Sequence, residues 1–177
     1  MKPETIGTIK ALLGTIAFLF VLLPIFLALI PFKILSSPNH VNLFEIGEFR
    51  YFGVLPIVMG VIVYLWCSFA FVFTGKGTPI HTMPPKKFVV KGLYRYVRNP
   101  MYLAFCLVLT GETLLFQSQG LLFYLLIMIG IFNIHLMTFE EPGLRKRFGD
   151  SYIQYCKSVD RWIPRLTPYR KDKLESQ

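Results

Sequence analysis

The sequence predicts an all-α, polytopic membrane protein with four transmembrane helices and a cytoplasmic amphipathic C-terminal helix. Three observations predict it. Of 177 residues, 54% are hydrophobic and only 16% charged, against roughly 25% charged in soluble domains, which leaves too little charged surface to keep a globule in solution. Residues 11–32 and 52–73 carry no charge at all, and each run exceeds the ~20 helical residues that cross a hydrocarbon core. The 19 Lys and Arg, which give a net charge of +9, fall almost entirely in alternate connections. That pattern points to a membrane surface and away from nucleic acid. A disordered chain is excluded by the hydrophobicity, and a disulfide scaffold by three cysteines lying in or beside apolar segments.

The first segment, 11–32, reads as an anchor. Its apolar run exceeds the roughly 7–15 residues of a cleaved signal peptide, and no A-x-A site follows. Pro24 and Pro56 lie in the first two segments, where neighbouring helices can satisfy the freed carbonyls. Between those segments, 41–50 fits a short interfacial helix. The third segment, 101–116, contains Glu112, and the fourth, 120–139, contains Asn133 and His135. Only Gln117, Ser118 and Gln119 join these two, so they form an antiparallel hairpin whose open ends share one side of the bilayer.

The basic residues sort accordingly. Lys2 and Lys10 precede the first segment, Lys33 and Arg50 lie in the first connection, and Lys76, Lys86, Lys87, Lys91, Arg95 and Arg98 lie in the second; the hairpin turn has none and the tail has the remainder. With four crossings, the positive-inside rule places both termini in the cytoplasm. From Pro142 onward, Leu144, Phe148, Tyr152, Tyr155, Cys156 and Val159 share one face of a helix, and Arg145, Lys146, Arg147, Asp150, Gln154 and Lys157 take the other. Such a helix either lies on anionic lipid or covers the hairpin's mouth; Gly149 in its middle weakens both readings.

Chemistry is expected in residues 92–102, GLYRYVRNPMY, which run into the third segment with Asn99 at the cap position and Pro100 in the first turn. Alone, this is an ordinary interfacial belt of Arg and Tyr. The hairpin changes its meaning. A turn near Ser118 brings Tyr102 level with His135 and Arg98 level with Phe139, so Glu140 and Glu141 emerge beside Arg98 and Asn99. Ionisable groups converging at membrane depth define a site hypothesis; the plain alternative is an Arg–Glu pair that staples the hairpin. His40, His81 and His135 are scattered and the cysteines lack ligand spacing, so no metal is expected. Gly75 and Gly77 form no dinucleotide loop.

Gly92, Tyr94, Arg98, Pro100 and Tyr102, followed by Glu140, Glu141, Leu144, Phe148, Gly149, Tyr152, Tyr155, Ile163 and Pro164, resemble the isoprenylcysteine carboxyl methyltransferases and the related membrane phospholipid methyltransferases. The resemblance covers about residues 78–164. Together with the hydropathy it gives a single integral membrane domain, with two N-terminal helices (1–75) that match only in being apolar, a methyltransferase-like cofactor-binding part (76–164) and a polar tail (165–177). The implied activity is methyl transfer from S-adenosylmethionine to a lipidic or lipidated acceptor that enters from the bilayer. Carried over position by position, Lys87, Phe88, Val89 and Tyr94 line the cofactor, Asn99, Pro100, Met101 and Tyr102 form its main contact loop, and Glu140 holds it from the second block. Glu141, His135 and Arg98 are the expected catalytic residues.

The residue types suit that chemistry. A carboxylate pairs with the cofactor's ammonium, a tyrosine face meets its sulfonium or adenine, and Arg98 meets its carboxylate. Two positions depart from the carboxyl methyltransferase pattern: Asn99 replaces a histidine, and Leu136 replaces the arginine that meets an acceptor carboxylate. Both departures favour a broader class of lipidic acceptor. If the acceptor is an amine, Glu141, His135 or Tyr102 stands near enough to take its proton. Two other readings share the architecture: an NADPH-dependent membrane reductase of sterol-reductase type, and a non-catalytic lipid-binding membrane protein.

Overall fold

A computed structural model of the chain describes residues 23–38, 41–42, 45–70 and 90–169. The described residues form helices and turns with no strand. Five helices organise them: α1 (Ile25–Leu35), α2 (Gly47–Ala70), α3 (Pro100–Phe116), α4 (Gln119–Phe148) and α5 (Asp150–Ser158). The expected first segment is described only from Leu23 onward.

Two helices, α2 and α4, are long and apolar enough to cross a membrane; α1 and α3 are shorter apolar helices. Mean hydropathy over the best window of both long helices is 2.1. Their outward faces present Leu55, Ile62, Trp66 and Phe69 on α2 and Phe123, Ile127, Ile134 and Phe139 on α4, all exposed. Apolar area exposed on this scale fits a hydrocarbon solvent, where it carries no hydration cost.

The helix pair α2–α3 is the tightest packing in the fold. A Cβ added to Gly60 would lie 2.6 Å from the Ala104 carbonyl oxygen, and one added to Gly53 would lie 2.8 Å from the Leu115 amide nitrogen. Glycine at Gly53, Gly60 and Gly111 therefore lets two backbones touch, which is how helices associate where water supplies no hydrophobic drive. Pro56 sits in the first α-turn after a 3-10 turn at Gly47–Gly53, a position where its missing N–H costs little.

The hairpin forms as expected. Gln117 turns the chain with φ 51°, and the Ser118 hydroxyl caps α4 by accepting from the Leu121 amide at 3.3 Å. At the same end the Gln119 amide donates to the Val41 carbonyl at 3.1 Å. The segment expected as an interfacial helix, 41–50, instead contributes Val41 and Asn42 to this closure and feeds the 3-10 turn that opens α2.

Past His135 the structure departs from the sequence expectation. Pro142 does not open a separate helix. α4 runs on through a π-turn at Leu136–Glu140 into the α-helical stretch Glu141–Phe148, which has Pro142 in its first turn as expected. Pro142 removes one amide donor from the ladder, and the widened π-turn immediately before it absorbs the defect. The expected single amphipathic helix is two, because Gly149 adopts φ 53° and ψ −133°. That region is open to glycine almost alone, so the chain turns there and restarts as α5. Tyr152 and Tyr155 of α5 and Val159 just after it are buried with Tyr169, and Val90, Leu144, Phe148 and Cys156 pack against them.

Candidate functional site

At the end of the bundle opposite the hairpin turn, three segments meet: residues 92–102, the π-turn of α4, and the tail from Asp160 to Tyr169. The tail is laced along the first segment by main-chain hydrogen bonds. Arg98 N donates to Asp160 O, Arg165 N to Tyr96 O, and Tyr169 N to Arg95 O, each at 2.9 Å, and Arg95 Nε returns a bond to Tyr169 O at 2.9 Å. Trp162 Nε1 donates to Asn133 Oδ1 at 3.0 Å, tying the tail to α4 as well.

Within this clasp the two adjacent acids have different partners. Tyr102 Oη donates to Glu140 Oε2 at 3.0 Å. Glu141, whose side chain is only 8% exposed, has one oxygen shared by two arginines, with Arg98 Nη1 at 3.2 Å and Arg161 Nε at 2.8 Å. Neighbouring helical residues point about 100° apart, so one acid reaches α3 while the other reaches the tail. Arg98 Nη1 also lies 3.1 Å from Cys156 Sγ, and Arg98 Nε is buried with no hydrogen-bond partner among the described residues.

Asn99 occupies the cap position of α3, but its side chain does not cap. Its Nδ2 donates to the Arg161 carbonyl at 3.4 Å, so the expected N-cap contact is replaced by a bond to the tail. Pro100 is at the first helical position and fully buried. The Tyr102 ring packs on Phe132 at 4.8 Å between centroids, and Phe132 meets Phe105 edge-on at 5.2 Å. His135 stands 5.7 Å from the Phe139 ring. Tyr94 holds the centre: its carbonyl accepts from Tyr155 Oη at 2.6 Å. Burial pushes its phenol well above the ordinary tyrosine value, and Cys67, Glu140, Tyr155 and Tyr102 add to that shift, so the hydroxyl keeps its proton at neutral pH.

Tyr94, Arg98, Asn99, Pro100, Met101, Tyr102, His135, Glu140 and Glu141 are thus gathered at one end of the bundle. Lys87, Phe88 and Val89 lie outside the described residues. Sequence reasoning did not single out Arg161, Trp162 or Tyr64, Cys67 and Ser68 of α2. Arg161 and Trp162 gave no signal because the tail's path is set by main-chain bonds. The hydroxyl and thiol groups of α2, spaced one turn apart in an otherwise apolar helix, were a readable signal. Among the described residues no group of three or more His, Cys, Asp or Glu is arranged to hold a metal ion.

Fold and site together define an α-helical protein with two helices long and apolar enough to cross a membrane and a polar, arginine- and carboxylate-rich clasp at one end. Residues 49–151 match the family model for phospholipid methyltransferase, and the chain belongs to that family. It is also similar to a protein-S-isoprenylcysteine O-methyltransferase of Schizosaccharomyces pombe, with 35% identity over 55% of this chain and 39% of that protein. A probable protein-S-isoprenylcysteine O-methyltransferase of Oryza sativa subsp. indica is 26% identical over 75% of this chain and 72% of its own length. Methanethiol S-methyltransferase 1 of Bradyrhizobium diazoefficiens is 35% identical over 45% of this chain and 27% of its own length. The chain therefore spans well under half of the fission-yeast and bacterial relatives. No solved structure matches it.

Proposed function

We propose that this chain is a multi-pass membrane methyltransferase that moves a methyl group from S-adenosylmethionine to a lipidic or lipidated acceptor at the cytoplasmic face. The observation that carries the reading is the Tyr102–Glu140 hydrogen bond. It joins the two separated sequence blocks that resemble the methyltransferases, beside a buried arginine with a donor to spare. In this reading α1 to α4 are four spans, the basic connections and both termini face the cytoplasm, and the tail with α5 covers the site.

The residues present fit the cofactor. Glu140 takes its ammonium, Tyr94 and Tyr102 offer ring faces to the sulfonium or adenine, and Arg98 Nε meets its carboxylate. Asn99, Pro100 and Met101 supply the contact loop, with Lys87, Phe88 and Val89 preceding it. When bound, the cofactor supplies an electrophilic methyl on a positively charged sulfur. For an acceptor that must lose a proton, His135 or Glu141 receives it, and Arg98 steadies the charge that develops.

Catalysis then rests on orientation in a dry pocket, with no covalent nucleophile. The Arg98–Glu141–Arg161 bridge positions the segment that leads into α3 and Tyr102. Calorimetry on the purified protein in detergent tests the reading: S-adenosylmethionine is expected to bind, and Glu140→Ala or Tyr102→Ala to abolish it. Binding of NADPH in its place would favour the reductase, and neither cofactor binding would favour a lipid-binding protein. Lipid extracts from cells with the intact protein are expected to gain a methylated species, read by mass spectrometry, that is missing with Glu140→Ala.

A further inference from the structure

The bonds of the tail carry it to different depths along α4. Arg161 Nε meets Glu141, and the next residue, Trp162, donates from Nε1 to Asn133, about two turns earlier in the same helix. The Trp162 ring also packs against the apolar cluster that Cys106, Leu109, Leu125 and Met128 form between α3 and α4. Further on, Arg165 N donates to Tyr96 O and Tyr169 N to Arg95 O, so the chain climbs back out along the segment that precedes α3. Residues 160–169 therefore make a shallow dip, and Trp162 is its deepest side chain.

One apolar side chain of the dip points in and two point out. Ile163 is 72% exposed and Leu166 98%, with Pro164 between them fixing its own φ and holding Ile163 extended. A segment that met only water outside would not hold both in that posture. The depth of the dip says what they meet. α4 has 30 residues, about 45 Å at 1.5 Å per residue, against roughly 30 Å of hydrocarbon. With the hairpin turn at one rim, the hydrocarbon ends after about 20 residues, near Thr138. Asn133, the partner of Trp162, then lies inside it, and Glu141, the partner of Arg161, lies just outside. Ile163 and Leu166 follow at that boundary.

The charge at this level selects the partner. Arg145, Lys146 and Arg147, all exposed, continue α4 beyond the boundary, and Arg145 stands roughly 10 Å past it, where a long cationic side chain reaches back to lipid phosphate. Lys157 is exposed on α5, and the exposed acids beside them are Asp150 and Asp160. We propose that the tail is an interfacial wedge that docks on an anionic phospholipid leaflet, with Ile163 and Leu166 among the acyl chains and Arg145, Lys146 and Arg147 on the phosphates. This inference rests on the reading of α4 as a membrane span. It is independent of the cofactor. Because the wedge shares residues 160–165 with the bonds to Arg98, Tyr96 and Glu141, its seating on lipid also steadies the clasp.

The test uses the full chain in lipid nanodiscs of two compositions, phosphatidylcholine alone and phosphatidylcholine mixed with phosphatidylglycerol. Ile163→Cys, Leu166→Cys and, as a reference on the outward face of α4, Phe123→Cys each carry a nitroxide, and the chain without an added cysteine supplies the background. Spin relaxation then compares collision with oxygen, which concentrates in lipid, and with a neutral nickel chelate, which stays in water. In the anionic discs, labels at 163 and 166 are expected to favour oxygen, as the label at 123 does. Their exposure to nickel is expected to be about 3-fold or more lower than in phosphatidylcholine, since each cation near an anionic surface is worth about 5-fold. Replacing Arg145, Lys146 and Arg147 together by Gln is expected to remove that difference between the two compositions.

Labels at 163 and 166 that meet nickel in preference to oxygen, while the label at 123 meets oxygen, would overturn the inference and leave the tail as a cover in water. Equal nickel exposure in the two compositions would overturn it as well, as would a difference that survives the triple Gln variant, because the cations would then not be what seats the tail. A label at 123 that meets nickel removes α4 from the membrane, and with it the reading on which this inference stands.

Discussion

The α2–α3 seam and the clasp between residues 92–102 and the tail hold the chain together by opposite means. In the seam, Gly53, Gly60 and Gly111 let backbones approach until no side chain fits between them. Nothing there can be charged, moved or exchanged. In the clasp, hydrogen bonds and ion pairs tie the segments together: Arg95 and Tyr169, Asn99 and Arg161, Arg98 and Arg161 on Glu141, Tyr102 on Glu140. The difference teaches where function can sit. Close apolar packing yields rigidity and little else, whereas a polar clasp can exchange one of its bonds for a ligand's.

That contrast is open to direct attack. The largest effect is expected at Glu140, the carboxylate proposed to hold the cofactor's ammonium beside Tyr102: Glu140→Ala should weaken S-adenosylmethionine binding by at least about 100-fold, the loss of a charge-assisted pair, with the melting temperature nearly unchanged. Its neighbour should behave in reverse. Glu141→Gln leaves Arg98 and Arg161 without their shared carboxylate, and thermal or denaturant unfolding should show a loss of about 3 kcal/mol. If both acids proved equally structural, the division of labour within the clasp would fail.

In the seam, Gly60→Ala drives a Cβ toward the Ala104 carbonyl and should cost about 2 kcal/mol. Cofactor affinity of the protein that remains folded should not change. The smallest effect is expected at Trp162→Phe, which deletes the bond to Asn133 while keeping the ring. A stability loss of about 1 kcal/mol, with a faster off-rate for the cofactor measured by stopped flow, would show that the tail helps retain it; an unchanged off-rate would confine the tail to structure.

Much of this was legible in the residues. The charge-free run that became α2, the three-residue hairpin turn at Ser118, and the convergence of Tyr102, Arg98 and the two acids all follow from hydropathy and from the geometry of a short connection. The depth argument placed Tyr102 opposite His135 and Arg98 opposite Phe139. The π-turn before Pro142 then carried Glu140 back to Tyr102 and Glu141 to Arg98. A missing amide donor signals a defect in a helix, but which neighbouring turn absorbs it depends on what packs there. Gly149 likewise flagged trouble in mid-helix, and only its backbone angles show that the helix ends and restarts.

By itself, the order of apolar and charged residues determined the helical class, the hairpin and the gathering of the acidic and aromatic residues at one end, because each depends on local composition and on loops too short to allow another path. The tertiary structure alone decided which acid serves which partner, that the tail laces itself along residues 95–98, and that the far end of α2 meets the Gly92–Arg95 turn. Those outcomes depend on side chains distant in sequence meeting across a packed interface, and such meetings are fixed by register and backbone approach, which no local pattern encodes.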